Sequence, residues 1–310
     1  MSYIIGTRGS GLALWQAHAV EAAILDAKPG SDVEVRIIST KGDRVLDKPL
    51  EQIGDKGLFT KELEAALIDG EVDLCVHSMK DVPAELPDGC MIGAMLPRAD
   101  VRDVLACGPR ISASSLDEVP AGSRIGTGSL RRTAQLRALF PNIEPTPIRG
   151  NVDTRLAKGA GDDYEGVMLA AAGITRMGWA DRISCYVPAD VLVPAVGQGA
   201  VGIEIRSDDE RVRDLCAAID DPATSKCVHV ERRILAALEG GCQVPMGAYA
   251  RMEGDRLIVD AVVLSVDGSR VARARFEGDQ TACEEAADSI VSQLVEGGAR
   301  EILEEIRKAG

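Results

Sequence analysis

The sequence predicts an α/β protein, because short apolar segments typical of strands alternate with amphipathic helical segments along most of its 310 residues. Such alternation favours βαβ units and mostly parallel sheets, since a parallel strand pair needs a long connection that is usually helical. Hydrophobic residues make up 45% of the chain and charged residues 27%, which is typical of a globular protein. The length exceeds what one hydrophobic core usually organises, so we expect two or three domains.

The predicted elements fall into three groups along the chain. The first group has strands at 3–6, 33–39, 73–77 and 91–96 and helices at 12–27 and 59–68. The second has strands at 124–126, 146–148 and 166–170 and helices at 129–139 and 152–158. The last third has a helix at 225–238, an antiparallel meander at 247–252, 256–265 and 270–276, and a helix at 282–308 interrupted at Gly297-Gly298.

Charge is unevenly distributed along the chain. The net charge is −14, which argues against non-specific nucleic-acid binding. Residues 98–182 nevertheless hold eleven Arg and one Lys against ten Asp or Glu. Arg binds carboxylates and phosphates in a fixed fork, which Lys does not. A small polyanionic ligand therefore fits this segment better than DNA, while several of these arginines would serve equally well in surface ion pairs.

Cysteine and histidine usage points to a reduced, metal-free protein. The eight cysteines form no CxxC pair, and the three histidines are far apart, so we expect neither a disulfide framework nor a metal site. The amino terminus lacks a signal-peptide pattern, and no apolar run approaches the ~18 residues that span a bilayer. We expect a cytoplasmic protein without membrane contact.

One cysteine lies in an unusual segment. Cys242 is part of Gly240-Gly241-Cys242-Gln243-Val244-Pro245, where two glycines leave the thiol open and a proline ends regular structure. A thiol there suits a covalent tether. A free cysteine is more commonly buried and inert, and this segment alone leaves both interpretations open.

Three predicted strand ends place Arg beside Gly. They are Thr7-Arg8-Gly9-Ser10, Gly126-Thr127-Gly128-Ser129-Leu130-Arg131-Arg132 and Ile148-Arg149-Gly150-Asn151. Helix N-termini after such turns favour an anion, and ligands of α/β sheets bind at this edge. We expect Ser129 to cap its helix, and Arg131 and Arg149 to present unpaired guanidinium groups. The alternative is a plain capped helix with exposed arginines.

The segment Gly197-Gln198-Gly199-Ala200-Val201-Gly202 matches the GxGxxG pattern without its structural context. A dinucleotide fingerprint follows a strand and opens a helix. Here Pro194 precedes the glycines and 201–205 is predicted to be a strand, so we expect no nucleotide site.

Asp81 follows a predicted strand that ends at His77. A carboxylate at this sheet edge can stabilise a cation or move a proton, or it can be an ordinary solvated loop acid. His77 is expected to be a hydrogen-bonded strand-end residue rather than a catalyst.

In their order along the chain, these motifs resemble those of porphobilinogen deaminases, also called hydroxymethylbilane synthases. The resemblance covers nearly the whole chain and adds Leu12-Ala13-Leu14-Trp15-Gln16-Ala17, Lys56-Gly57-Leu58-Phe59 and His77-Ser78-Met79-Lys80-Asp81-Val82-Pro83. The family usually has serine where this chain has Gly128. That difference removes one hydroxyl contact and leaves the backbone donors in place.

The resemblance implies three domains: residues 1–97 with 200–217, residues 98–199, and residues 218–310. The first two would be like a type 2 periplasmic binding protein, and the third a small α+β domain with an antiparallel sheet. The implied enzyme is a transferase that condenses four porphobilinogen molecules head to tail, releases ammonia, and hydrolyses the product to the linear tetrapyrrole hydroxymethylbilane. A dipyrromethane cofactor would be joined by a thioether to Cys242, and we expect a monomer.

The resemblance also implies a set of site residues. Asp81 is the implied catalytic group, which stabilises the azafulvenium-like cation left when ammonia departs. Cofactor contacts are implied for Lys80, Ser129, Arg131, Arg132 and Arg155, and substrate contacts for Arg8, Ser10, Phe59, Arg149 and Arg176. Each pyrrole bears an acetate and a propionate, which suits the arginine-rich middle of the chain.

Two other classes of protein stay open. A two-lobed anion-binding protein without catalysis would normally have an export signal and would give Cys242 no role. A cysteine-nucleophile acyltransferase would need a histidine base near Cys242, and His229 is the candidate in the last third of the chain.

Overall fold

The computed structural model describes residues 1–44, 57–238 and 244–309. Within these ranges the strands form two five-stranded sheets and one three-stranded sheet. The chain divides into two compact units: unit 1 is Met1–Ala99 with Gly199–Lys226, and unit 2 is Asp100–Gln198 with Cys227–Gly310. The three-domain boundaries expected from the sequence stay a prediction. Cys242 lies outside the described residues.

The strands and helices follow the predicted alternation. The strands are β1 (Ser2–Thr7), β2 (Asp32–Ile37), β3 (Leu74–Ser78), β4 (Cys90–Met95), β5 (Asp103–Cys107), β6 (Ser123–Gly126), β7 (Ile143–Thr146), β8 (Gly166–Ala170), β9 (Cys185–Val187), β10 (Val201–Arg206), β11 (Met246–Glu253), β12 (Arg256–Leu264) and β13 (Val271–Asp279). The helices are α1 (Gly11–Ala27), α2 (Lys41–Arg44), α3 (Lys61–Ile68), α4 (Leu130–Leu139), α5 (Val152–Gly159), α6 (Ala171–Arg176), α7 (Glu210–Ile219), α8 (Pro222–Ala237), α9 (Cys283–Glu296) and α10 (Ala299–Ala309). Within the described residues, every helix is too short or too polar to cross a lipid bilayer.

Unit 1 is built on a sheet with the strand order β2-β1-β3-β10-β4. Only β10 is antiparallel to its neighbours, and the other four strands share one direction. Apolar side chains of α1 and α7, such as Ile24 and Leu215, pack with Ile5 and Ile203 of the sheet. A smaller cluster that includes Leu63 of α3 forms separately. Burial on both faces explains why the inner strands β3 and β10 are mostly apolar, whereas the edge strand β2 alternates.

The second five-stranded sheet lies in unit 2 and has the order β7-β6-β8-β5-β9. Here β5 is the strand that is antiparallel to its neighbours. The strand predicted at 146–148 is wrong in position, because β7 ends at Thr146. It includes Pro145, which an edge strand tolerates because one side of such a strand needs no N–H donor. Ile148 follows the end of β7 and is buried, and this apolar residue is the reason that the strand was predicted too late in the sequence.

The third sheet is the antiparallel meander β11-β12-β13, as predicted. Side chains from α8, α9 and α10 form one core with it, including Ile234, Ile290 and Ile302. Its β12 also contributes Val262 and Leu264 to a cluster with Ala134 and Val193 of the same unit. The α/β class, with two mostly parallel sheets and one small antiparallel sheet, is therefore confirmed.

Candidate active site

A recess at the carboxyl ends of β1 and β3 brings together residues that are far apart in the sequence. It is lined by Arg8, Ser10, Leu12, Ala13, Gln16, Phe59, Thr60, Val76, His77, Ser78 and Asp81. The two strands are parallel, so the turns that follow them lie at the same edge of the sheet. Four of the predicted site residues (Arg8, Ser10, Phe59 and Asp81) thus line one recess.

Local contacts fix the walls of this recess. The guanidinium of Arg8 lies over the ring of Phe59, 4.2 Å from its centroid, which stabilises the cation there. Ser10 caps α1, and its hydroxyl accepts from the backbone N–H of Ala13 at 3.3 Å. Gln16 of α1 donates to the hydroxyl of Ser78 at 2.8 Å, which joins the helix to the end of β3.

Asp81 and Lys80 lie in a single 3₁₀ turn, Met79–Asp81, directly after β3. Both side chains are half-buried. Asp81 faces the recess, whereas Lys80 is not among the residues that line it. The implied cofactor contact of Lys80 therefore stays a prediction.

His77 is hydrogen-bonded, as predicted, and its partner is Glu204 of β10. The distance between Nε2 and the carboxylate is 2.8 Å, and the side chains are 4% and 0% exposed. Glu204 was missed in the sequence, where it is a lone charged residue within the apolar strand Val201-Gly202-Ile203-Glu204-Ile205. A carboxylate inside a buried strand is the signal that would have revealed it.

In unit 2 a fully buried carboxylate pairs with two buried arginines. Asp103, at the start of β5, accepts from Arg131 at 2.7 Å and from Arg132 at 2.8 Å. Burial alone would raise the pKa of Asp103, but the two guanidinium groups and their hydrogen bonds hold this pKa well below its usual range. The expectation that Arg131 is unpaired is wrong, as is the alternative that both arginines are exposed. A charge this deeply buried needs a partner, and Asp103 provides it.

The turn before these arginines has the predicted helix cap. Ser129 caps α4, and its hydroxyl accepts from the backbone N–H of Arg132 at 3.4 Å. A Cβ at Gly128 would lie 2.8 Å from the carbonyl oxygen of Ile148. Because that oxygen is backbone, a serine at position 128 would require this turn to shift.

Arg149, Arg155 and Arg176 follow the parallel strands β7 and β8. Arg155 donates from Nε to the carbonyl of Gly150 at 2.6 Å, and Arg149 is half-buried in the turn before α5. Arg176 ends α6, where burial lowers its pKa to about 10. The turns at the carboxyl edge of this sheet therefore carry Ser129 and Arg149, and Arg155 and Arg176 lie in the helices that follow.

The donor set of unit 2 suits a carboxylate-bearing group such as dipyrromethane. Within the described residues, the buried Nε–H of Arg131 has no hydrogen-bond partner. A buried donor left unsatisfied is costly, and a carboxylate is a strong acceptor for it. Arg131 and the capped turn at Ser129 are thus fit to hold the acidic side chains of such a group.

These features define an α/β protein whose two sheet edges are equipped for an acidic, carboxylate-rich ligand, with one carboxylate in a recess. Two family models match the chain: "Porphobilinogen deaminase, dipyromethane cofactor binding domain" over residues 3–214, and "Porphobilinogen deaminase, C-terminal domain" over residues 225–296. The chain belongs to the porphobilinogen deaminase family.

Curated relatives agree with this assignment. A porphobilinogen deaminase from Syntrophobacter fumaroxidans is 47% identical over 306 residues, covering 98% of each chain. Another, from Moorella thermoacetica, is 46% identical over 303 residues, covering 98% of this chain and 96% of the relative. Among solved structures, a periplasmic binding protein of Salmonella typhimurium is similar with a TM-score of 0.38 and 14% identity, covering 73% of this chain and 96% of its own.

Asp103→Asn should destabilise the protein by about 3–5 kcal/mol, because two buried guanidinium groups lose their counter-charge. Asp100→Asn is the matched control: its carboxylate also pairs with an arginine, Arg102, at 2.6 Å, but both groups are partly exposed. The control should cost less than about 1 kcal/mol in urea unfolding. Equal losses in the two variants would contradict a special role for Asp103.

The effect of Asp103→Asn should also depend on pH. A carboxylate with a lowered folded-state pKa contributes stability that is fully present above its unfolded pKa of about 3.9 and is lost as the pH falls below it. The stability difference between wild type and variant should therefore stay constant from neutral pH to about pH 5 and shrink only at more acidic pH.

Proposed function

We propose that this chain is a transferase that joins four porphobilinogen molecules head to tail, with release of ammonia, and that hydrolysis frees hydroxymethylbilane. Membership of the porphobilinogen deaminase family over nearly the whole chain supports this activity. The observation on which the assignment of roles depends is the recess that places Asp81 beside Arg8, Ser10 and Phe59.

Asp81 is the proposed catalytic carboxylate. Departure of ammonia from the aminomethyl group leaves a positive charge spread over the methylene carbon and the pyrrole ring. A carboxylate held in a half-buried recess stabilises such a developing charge more strongly than one in water does. The 3₁₀ turn after β3 fixes Asp81 at the sheet edge, so little reorganisation is needed when the charge appears.

Arginine side chains are proposed to bind the acetate and propionate groups. Arg8 would do so in unit 1, and Arg149 and Arg176 at the sheet edge of unit 2. Each new pyrrole adds two carboxylates, so a lengthening chain needs several cationic contacts rather than one. The lowered pKa of Arg176 reflects burial of its guanidinium, and a carboxylate partner would offset the cost of that burial.

The dipyrromethane cofactor belongs to the domain that residues 3–214 match. When bound, it supplies the pyrrole to which the first substrate molecule is joined. We place its thioether on Cys242, with contacts from Lys80, Ser129, Arg131, Arg132 and Arg155. Arg131 and Arg132 would then serve twice, as partners of Asp103 and as donors to the cofactor.

Other cysteines of the chain are poorly suited to be the tether. Cys75, Cys185, Cys216 and Cys227 are buried. Burial raises the pKa of Cys216 to about 12, and that of the partly buried Cys90 to about 11, so neither thiol ionises readily. These properties count against five of the other cysteines as the tether, and the placement on Cys242 follows from the family resemblance.

We further infer a monomeric protein of the cytoplasm, with residues 218–310 as the domain that carries the tether.

Asp81→Asn should fold normally and still acquire its cofactor, but lose at least ~100-fold in turnover, since the amide cannot offset positive charge. Asp88→Asn, an exposed acid in the segment that follows, is the control and should retain wild-type turnover. Steady-state formation of the tetrapyrrole by the purified variants measures the effect. Turnover of Asp81→Asn within a few-fold of wild type would remove Asp81 from the catalytic role.

The intact mass of the wild-type protein should exceed that of its sequence by a two-pyrrole adduct, and peptide mapping should place it on the segment containing Cys242. Cys242→Ser should lack both adduct and activity, because serine is a much weaker nucleophile than a thiol. The half-buried Cys283 provides the control, and Cys283→Ser should keep both. An adduct mapped to Cys216 or Cys227 would overturn the tether assignment, and an unmodified mass in active protein would undermine the proposed function as well.

A further inference from the structure

His77 is one of the residues that line the recess, and its ring is oriented by a buried acid. Within the described residues, the bond from Nε2 to Glu204 is the only hydrogen bond that the ring makes. Glu204 is fully buried, and its second oxygen, Oε1, has no hydrogen-bond partner among the same residues. The hydrogen bond from His77 is therefore what offsets the cost of burying the Glu204 carboxylate.

This contact selects one tautomer of the imidazole. An ionised carboxylate can only accept hydrogen bonds, so the nitrogen that faces it must carry the hydrogen. Nε2 is consequently the N–H of the neutral ring, and Nδ1 is left with a free electron pair. The same logic holds in enzymes where a buried carboxylate orients a histidine base and stabilises the imidazolium that it becomes.

Neighbouring acidic groups do not compete with Glu204 for this role. Burial raises the pKa of Glu64 on α3, and the nearby charge of Glu204 raises it further. The thiols of Cys75 and Cys90 also have raised pKa values, first because of burial and then because of Glu204. Among the described residues, Glu204 is the acid in direct hydrogen-bond contact with the ring of His77.

We propose that His77 is a second catalytic residue of the recess, whose Nδ1 accepts the proton that a pyrrole ring loses at each condensation, and that Glu204 is its positioning residue. This inference rests on the proposed function and departs from the sequence-based expectation for His77. It divides the chemistry between two side chains of one recess: Asp81 stabilises the cation, and His77 takes the proton.

The atoms and charges of the step balance. The carbon–nitrogen bond of the protonated aminomethyl group breaks, ammonia leaves with the electron pair, and the methylene carbon keeps the positive charge. A carbon–carbon bond then forms between this methylene and the free α-carbon of the terminal pyrrole. The α-carbon loses its hydrogen as a proton to Nδ1, its bonding electrons restore the aromatic ring, and Glu204 stabilises the imidazolium until the proton passes to water.

His77→Gln separates a basic role from a structural one. The glutamine amide can place an N–H near the position of Nε2 and keep the bond to Glu204, but it has no basic nitrogen. We expect kcat to fall at least ~100-fold with KM little changed, the usual effect of losing a general base. Porphobilinogen deuterated at its free α-carbon gives a second test, through the ratio of the unlabelled rate to the deuterated rate. This isotope effect should be larger in the variant than in wild type, because proton removal becomes rate-limiting.

Matched controls exist within the chain. His18 also lies 2.8 Å from a carboxylate, that of Glu21, but its side chain is 62% exposed and outside the recess. His18→Gln should therefore leave kcat and the isotope effect unchanged. Glu204→Gln keeps the shape of the positioning residue without its charge, and should lower kcat by about 10–100-fold. If His77→Gln does not fold, Glu204→Gln decides the question by the same kinetic and isotope measurements.

The chain has three histidines, so their ¹⁵N resonances can be assigned by substitution and give a test that does not depend on turnover. In ¹⁵N-histidine-labelled wild type, the resonance that disappears in His77→Gln should show the Nε2–H tautomer, and Glu204→Gln should disturb it. Turnover of His77→Gln near wild type without an enlarged isotope effect would overturn the inference, as would the Nδ1–H tautomer. A wild type that forms no tetrapyrrole would refute the proposed function instead, so the two failures are distinguishable.

Discussion

The burial of Asp103 is the constraint that organises the buried ion-pair cluster of unit 2. Its carboxylate is fully buried and accepts hydrogen bonds from Arg131, Arg132 and, at 2.9 Å, the amide of Gln198. Arg131 also donates to the carbonyl of Val193 at 2.8 Å. A single charge thus joins β5, the first turn of α4 and the segment that precedes β10. Removing it would leave two buried cations uncompensated.

Other buried carboxylates also hold distant segments of the chain together through hydrogen bonds. Glu231 on α8 is fully buried and accepts from the backbone N–H groups of Gly197 at 2.7 Å and Ala250 at 2.8 Å. In unit 1, Glu204 holds the ring of His77 at the recess. Each carboxylate is costly to bury and becomes tolerable only when its hydrogen bonds are formed. These groups therefore specify geometry more than they add stability, and Glu204 does so in direct contact with His77.

Local signals were enough to predict much of the fold and part of the site. Glycine turns, apolar runs and Ser129 as a helix cap are encoded within a few residues, and the structure has them where expected. The strand after the GxGxxG segment was likewise predicted, and Val201–Arg206 is β10. Arg8 and Asp81 were placed at strand ends, and parallel strands necessarily bring such ends to one edge.

Pairings between distant residues could not be predicted from local patterns. Arg131 and Asp103 are 28 positions apart, and His77 and Glu204 are 127 apart. Nothing near Arg131 in the sequence indicates that its guanidinium is buried, because its partner Asp103 lies on β5, an inner antiparallel strand of the sheet. The error in β7 had a different cause: Ile148 is buried after the strand ends, so hydrophobicity and strand geometry do not coincide there.

The central claim is that this chain builds a tetrapyrrole on a dipyrrole that it already carries. Its most direct test is the visible spectrum of the purified, substrate-free protein after treatment with an acidic aldehyde reagent that colours pyrroles with a free α-position. The account predicts the spectrum of a bound dipyrrole that stays with the protein on denaturation and is missing from Cys242→Ser. A colourless wild-type protein that still converts porphobilinogen would contradict it.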